Sequence, residues 1–326
     1  MVRVLTPALA LAGIFALQGG GPSPARPASP TPSSRTADLL APGPFAVGKI
    51  VIRFTDSRRH VHFRGRPPEA RQLVTVIRYP ALGNPDRVDV PAAQPATASG
   101  PFPLVVFGHG YDSSPAIYAR LLQAWTRAGY VVAAPVFPLS NEDAPGGADE
   151  SDIVNQPADM SFVITRLLAA TEADDGILSR LIDSHEVAVA GQSDGAATAL
   201  ATAYDSRYRD PRVQAAVILS GAEIMPGSYF QGTNPPLLAT QGTADPINKP
   251  KYTYEFFDAA HAPKFLLRLL GARHIGPYTD EQPQLGDVER VTIAFLDRYL
   301  KRLPDARRRL WLAGDTSGVS TLTNGR

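Results

Sequence analysis

The chain has 326 residues, enough for one large domain with a substantial core. Its 32 basic and 31 acidic side chains leave a formal net charge of +1, so no overall field attracts nucleic acid or an anionic membrane. The absence of cysteine excludes disulfides, a thiol nucleophile and thiolate metal sites.

The N-terminal segment predicts export from the cell. Arg3 precedes an apolar run over residues 4–17 and three glycines at 19–21, which is the pattern of a secretory signal peptide over residues 1–21. The run is shorter than the roughly 20 residues of a permanent membrane helix, so no stable membrane anchor is expected. Residues 22–44 are rich in proline and small polar residues, and we interpret them as a disordered linker.

The rest of the chain is predicted to form one α/β domain over residues 45–304. Residues 49–63 and 71–79 alternate apolar and polar side chains, as antiparallel strands do. From residue 102 onward strands alternate with helices, which indicates a mostly parallel sheet with helices on both faces. Strands are predicted over 104–107, 130–137, 187–190, 215–219, 237–240 and 264–269, and helices over 115–127, 157–170, 196–203, 250–260 and 286–303. Residues 305–326 are expected to form a loosely ordered tail.

The stretch Gly191-Gln192-Ser193-Asp194-Gly195 joins a predicted strand to a predicted helix. That context is the one in which a nucleophile elbow occurs, although an ordinary strand-to-helix turn can also contain serine. The two glycines remove side chains where the strand and helix backbones crowd together, so a strained serine can be held at the tip. Ser193 is therefore the candidate nucleophile.

A serine hydroxyl needs a base, and the base needs an acid that orients it. In a parallel sheet these partners lie in loops at the carboxyl ends of later strands. Asp245 and His274 each follow a predicted strand in this way. The other histidines precede the sheet, precede the serine or enter a strand from its other end. Asp258 and Asp287 are alternative acids, but both lie in helical sequence.

Acyl transfer also needs donors for the oxyanion that forms on the attacked carbonyl. The turn 108–111 follows a buried strand, so we expect the backbone N–H groups of Tyr111 and Asp194 to serve, with His109 pinning the turn. Predicted contacts to the substrate are Tyr111, Gln192, Phe137, Ile247 and Ile275.

An acidic loop and a pair of histidines give no definite prediction of function. Residues 138–156 include five acidic side chains without lysine or arginine, in a long loop that is either a lid over the site or a solvated surface loop. His60 and His62 lack a third ligand in the sequence, so no metal site is predicted.

From Arg71 to Leu303 the chain resembles secreted α/β-hydrolases of the dienelactone hydrolase and platelet-activating-factor acetylhydrolase-like group, together with chlorophyllase- and cutinase-like esterases. The stretches that carry the resemblance are 76–81, 102–110, 129–135, the elbow at 191–195, and 242–245. The resemblance implies an α/β-hydrolase fold, hydrolysis of small or lipid-like carboxylic esters without a cofactor, and the roles given above for Ser193, His274 and Asp245. A monomer that binds neither nucleic acid nor membrane is expected.

The chain also departs from these relatives. Polyester-degrading members carry histidine and methionine where Gln192 and Asp194 stand, and a cleft tryptophan where this chain has none. Dienelactone hydrolases proper use a cysteine nucleophile, which this chain lacks. Two other functions stay open at this point: a peptidase or amidase on the same fold, and a non-catalytic ligand-binding module.

Overall fold

The computed structural model describes residues 43–86 and 88–325. The predicted signal peptide lies outside these residues, as does the predicted linker except for its last two residues. The strands within the described ranges form one ten-stranded sheet. They are β1 Ala46–Val61, β2 Glu69–Ala81, β3 Asp89–Pro91, β4 Phe102–Gly108, β5 Val131–Pro135, β6 Ile182–Gln192, β7 Val213–Leu219, β8 Leu237–Gly242, β9 Lys264–Leu269 and β10 Ser320–Gly325.

The strands lie in the order β10-β9-β8-β7-β6-β4-β5-β2-β1-β3. Each neighbouring pair from β5 through β4 and β6 to β9 is parallel. Strands β1 and β2 pair antiparallel, and β2 continues antiparallel onto β5. The predicted architecture, a mostly parallel sheet with antiparallel N-terminal strands, is confirmed.

Helices cover both faces of the sheet. They are α1 Ala119–Arg127, α2 Gln156–Glu172, α3 Asp194–Tyr204, α4 Pro250–Ala259, α5 Gly276–Thr279, α6 Gln284–Tyr299 and α7 Ala306–Gly314. Alternate residues of β4 serve two cores, with Leu104 and Val106 in the core under α2 and α3, and Val105 and Phe107 in the core under α1 and α6. In the part of the chain that the structure describes, no helix is long and apolar enough to cross a membrane.

The expectation of a loosely ordered tail over residues 305–326 is wrong for the residues that the structure describes. Helix α7 packs on α6, and β10 pairs antiparallel with β9 along its whole length. Leu322 is buried in the same core as Leu310. The domain therefore continues past residue 304, because α7 and β10 share its core and its sheet.

Candidate active site

Ser193 occupies a strained turn between β6 and α3. Its backbone has φ 57° and ψ −121°, a conformation that L-residues rarely adopt. The turn needs both flanking glycines: a Cβ on Gly191 would lie 2.0 Å from the carbonyl oxygen of Gly195, and a Cβ on Gly195 would lie 2.1 Å from that of Gly108. Strand and helix backbones touch here, so the serine side chain stands at the tip of the turn.

Three predicted side chains meet at this turn. His274 Nε2 lies 2.9 Å from Ser193 Oγ, and His274 Nδ1 lies 2.7 Å from Asp245 Oδ2. With the proton on Nδ1, the imidazole donates to the carboxylate and accepts from the serine hydroxyl. Asp245 and His274 are both buried, so the ion pair that forms when the imidazole takes a proton is shielded from water.

The loop after β8 holds the carboxylate of Asp245 in place. The backbone N–H groups of Ile247 and Asn248 donate to Oδ1 at 2.9 and 3.1 Å. Gln241 Nε2 approaches Oδ2 at 3.3 Å, on the side that faces the imidazole. One oxygen is thus fixed by the loop while the other orients His274. The alternative acids Asp258 and Asp287 make no contact with His274 in the described residues.

A buried bridge below the serine was not anticipated from the sequence. Tyr118 Oη donates to Gln192 Oε1 at 2.7 Å and accepts from the N–H of Gly110 at 3.3 Å. The amide of Gln192 donates to the carbonyl of His274 at 3.0 Å. Gln192 therefore connects the elbow to the histidine loop and, through Tyr118, to the turn after β4.

His109 is confirmed as the residue that pins the turn after β4. Its Nδ1 lies 2.8 Å from the carbonyl of Gly110, and its Nε2 accepts from the N–H of Phe137 at 3.0 Å. Burial lowers the pKa of His109 to about 4. The neutral imidazole keeps one donor and one acceptor, and the hydrogen bond that Nε2 accepts requires that state.

The backbone N–H groups of Tyr111 and Asp194 donate no hydrogen bond within the part of the chain that the structure describes. Tyr111 lies in the turn after β4, and Asp194 directly follows Ser193 at the start of α3. The carboxyl group of Asp194 is a separate feature. It is buried, its Oδ2 has no partner among the described residues, and burial raises its pKa to about 6.

The predicted substrate contacts divide into two groups. Tyr111, Ile247 and Ile275 are exposed on loops around the serine. Gln192 and Phe137 are only 1% and 0% exposed, so neither side chain is open to a substrate in this structure, and direct contact with a substrate stays a prediction for both. The amide of Gln192 is occupied by the bridge described above, and the ring of Phe137 packs on His109 with centroids 5.0 Å apart.

Two cavities adjoin the loops that carry the site. One, of about 520 Å³, is lined by Ile224, Asn248, Tyr252 and Phe256, together with Glu223 and Glu255. Asn248 is the residue whose N–H binds Asp245. The other, of about 450 Å³, lies between Tyr111 and residues 145–150. The exposed side chains of Ile224 and Tyr252 were not predicted from the sequence, since neither residue belongs to one of the motifs.

Hydrogen bonds and ion pairs hold the acidic loop over residues 138–156 in place. Tyr111 Oη donates to the carbonyl of Ala148 at 2.9 Å. The guanidinium of Arg71 binds Asp152 and Asp159 through four hydrogen bonds of 2.6 to 3.0 Å. These contacts fix the 3₁₀ turn Glu150–Asn155 against β2 and α2. Among the described residues, no group of three or more His, Asp or Glu side chains is placed to hold a metal ion.

The comparisons with known proteins concern the family and the fold. A family model described as Chlorophyllase matches residues 82–244, a stretch that contains the turn after β4 and the elbow. A ferulic acid esterase from Streptomyces cinnamoneus has a similar structure, with a TM-score of 0.66 and 20% sequence identity over 88% of this chain and 99% of that chain. A search of curated proteins found no match. The predicted resemblance to α/β-hydrolase esterases is confirmed: the chain belongs to the Chlorophyllase family and is a carboxylic ester hydrolase.

Proposed function

We propose that the chain is a secreted serine esterase in which Ser193, His274 and Asp245 form a catalytic triad. The observation that carries the proposal is the 2.9 Å contact between Ser193 Oγ and His274 Nε2 at a strained elbow. The buried Asp245 supports it, because a carboxylate on Nδ1 holds the imidazole in the tautomer that accepts a proton at Nε2.

In the proposed mechanism Ser193 Oγ attacks the ester carbonyl while His274 Nε2 takes the hydroxyl proton. The tetrahedral oxyanion accepts hydrogen bonds from the N–H groups of Tyr111 and Asp194. Its collapse breaks the bond to the alcohol oxygen, which receives the proton from His274. Water then repeats the sequence on the acyl-enzyme, releasing the acid and restoring the serine hydroxyl.

The apolar side chains around the serine favour a small or lipid-like acyl group. Tyr111, Ile247 and Ile275 are exposed around the elbow, and Ile224 and Tyr252 line the cavity of about 520 Å³ beside the loop of Asp245. We propose that the acyl chain occupies this cavity. Each methylene that it buries contributes about 0.8 kcal/mol, which corresponds to roughly a fourfold gain in kcat/KM.

A panel of p-nitrophenyl esters from acetate upward tests nucleophile and acyl site together. The kcat/KM should rise with acyl length until the chain outgrows the cavity. Ser193→Ala should lower kcat by about 10⁴-fold or more and abolish labelling by a fluorophosphonate probe. Ser184→Ala is the matched control, since it changes a serine near the opposite end of the same strand.

Three results would contradict the proposal. Full activity of Ser193→Ala would exclude the nucleophile, and a folded protein that never reacts with the probe would indicate a non-catalytic module. Faster turnover of acyl-anilides than of esters with the same acyl group would indicate an amidase. A flat response to acyl length with Ser193 still essential would reject only the acyl site.

Secretion is proposed from the sequence alone, on Arg3 and the apolar run over residues 4–17.

A further inference from the structure

A cavity of about 250 Å³ opens at the end of the sheet opposite Ser193. It lies between the start of β9, the end of β10 and the helices α6 and α7. Lys264 begins β9, whereas His274 follows the other end of that strand, so the two ends lie ~20 Å apart along six residues. The side chains that give the cavity its chemistry are Lys264, Arg298, Tyr299, Arg307, Trp311 and Asn324.

The lining of this cavity is cationic and holds no carboxylate. Arg298 and Arg307 form no ion pair or side-chain hydrogen bond with any residue that the structure describes. Their neighbour Arg309 is paired with Asp297 and Asp305. In a chain whose charges otherwise nearly balance, two unpaired guanidinium groups at one cavity leave a local excess of positive charge.

Lys264 also lines the cavity, and its side chain is a buried cation. The residue is 6% exposed, and its Nζ donates to the carbonyls of Phe257 and Asp258 at 2.8 and 3.0 Å. These neutral acceptors hold the ammonium group without cancelling its charge. Within residues 43–86 and 88–325, Lys264 has no carboxylate partner.

Aromatic rings form the apolar part of the cavity. Tyr299 and Trp311 both pack on Phe265, with ring centroids 6.3 and 6.2 Å apart. Burial raises the pKa of Tyr299, and the charges of Arg298 and Arg307 act in the opposite direction. Tyr299 and Trp311 thus line the same cavity as the two arginines.

We propose that this cavity binds a small organic anion, with its oxyanion group between Arg298 and Arg307 and its ring against Trp311. Guanidinium groups match the geometry of carboxylate and phosphate oxygens, and the indole face suits the apolar face of a ring. The volume lies just below the usual range of small-molecule sites, which limits the ligand to about the size of a monosaccharide. The site is separate from ester hydrolysis.

Tryptophan fluorescence tests this proposal directly. The chain has two tryptophans, and Trp125 is fully buried with its Nε1 bound to Thr292, so ligand-dependent emission reports on Trp311. Galacturonate and glucose 6-phosphate should each give a saturable change, while neutral galactose gives none. The relative affinities of the two anions distinguish a carboxylate site from a phosphate site. Titration calorimetry on the same three ligands gives affinities that do not depend on the fluorophore.

The double variant Arg298→Gln/Arg307→Gln should weaken anion binding by about tenfold or more. Arg308→Gln is the matched control, because this exposed arginine lies in the same helix and does not line the cavity. Both variants should hydrolyse p-nitrophenyl esters at the wild-type rate. Equal binding of galactose, an equal loss of binding in Arg308→Gln, or no saturable binding by calorimetry at millimolar concentration would overturn the proposal.

Discussion

Asp194 carries two unlike groups at one position. Its backbone N–H is a candidate oxyanion donor, while its carboxyl group is buried with one oxygen unpartnered among the described residues. Burial is the main cause of its raised pKa of about 6, the charge of Glu150 acts in the same direction, and His274 opposes both. The start of α3 favours negative charge, but this contribution is smaller than the cost of burial.

Asp194→Asn should stabilise the protein at alkaline pH. Between about pH 4 and pH 6 the folded chain holds a proton on Asp194 that the unfolded chain has lost, so wild-type stability falls as pH rises through this window. The asparagine variant has no ionisable group at this position, so its stability does not fall for this reason as the pH rises. We expect its free energy of unfolding in urea to exceed the wild-type value by about 2–3 kcal/mol at pH 8, with the two converging near pH 4.

Asp258→Asn is the control for this measurement, because it makes the same substitution at an exposed position. A difference between Asp194→Asn and wild type that stayed constant from pH 4 to pH 8 would show that the carboxyl group does not titrate in this window.

At the level of elements, the acidic loop over residues 138–156 is held by an ion cluster. Arg71 of β2 is 1% exposed, and its guanidinium lies between Asp152 of the 3₁₀ turn and Asp159 of α2. Arg59 adds a second cation on Asp159 at 2.8 Å. The acidic residues of this loop are evident in the sequence, but their pairing with Arg71 could not be predicted, since Arg71 lies 81 residues before Asp152.

Arg71→Met should destabilise the fold by about 3–5 kcal/mol, because it leaves two buried carboxylates without their main partner. Urea unfolding measures this loss. The triple variant Arg71→Met/Asp152→Asn/Asp159→Asn should recover part of it, since no uncompensated charge is left buried. Arg58→Met, at an exposed arginine of β1, is the control and should change stability little. Equal stability of Arg71→Met and wild type would contradict this prediction, because it would mean that water solvates the two carboxylates as well as Arg71 does.

Strand β10 was not predicted from the sequence. The stretch Ser320-Thr321-Leu322-Thr323-Asn324-Gly325 contains a single large apolar residue, so it lacks the alternation that marks a strand. It becomes a strand because it pairs with the exposed edge of β9 and because Leu322 packs over Gly314. Pairing partners, unlike periodicity, are not visible in a local window of sequence.

For the whole molecule, the proposed export signal gives a prediction about location. Protein expressed with residues 1–21 should appear in the medium, with an N-terminus after the apolar run. Leu11→Arg should keep it inside the cell, because a charge in the middle of this run opposes membrane insertion. Leu11→Ile is the control and should be exported. Fractionation with N-terminal sequencing measures both, and export of Leu11→Arg at the wild-type level would contradict the proposal.

The strand-helix order, the elbow and the positions of Asp245 and His274 could all be read from the chain. Each depends on residues close together in sequence: apolar periods define the elements, the glycines shape one turn, and parallel strands bring their carboxyl ends to one edge. The burial of Gln192 and Phe137, the bridge through Tyr118 and the cationic cavity could not be read in this way. They arise where segments distant in the chain pack together, and whether a polar side chain faces solvent or a neighbour depends on what covers it after folding.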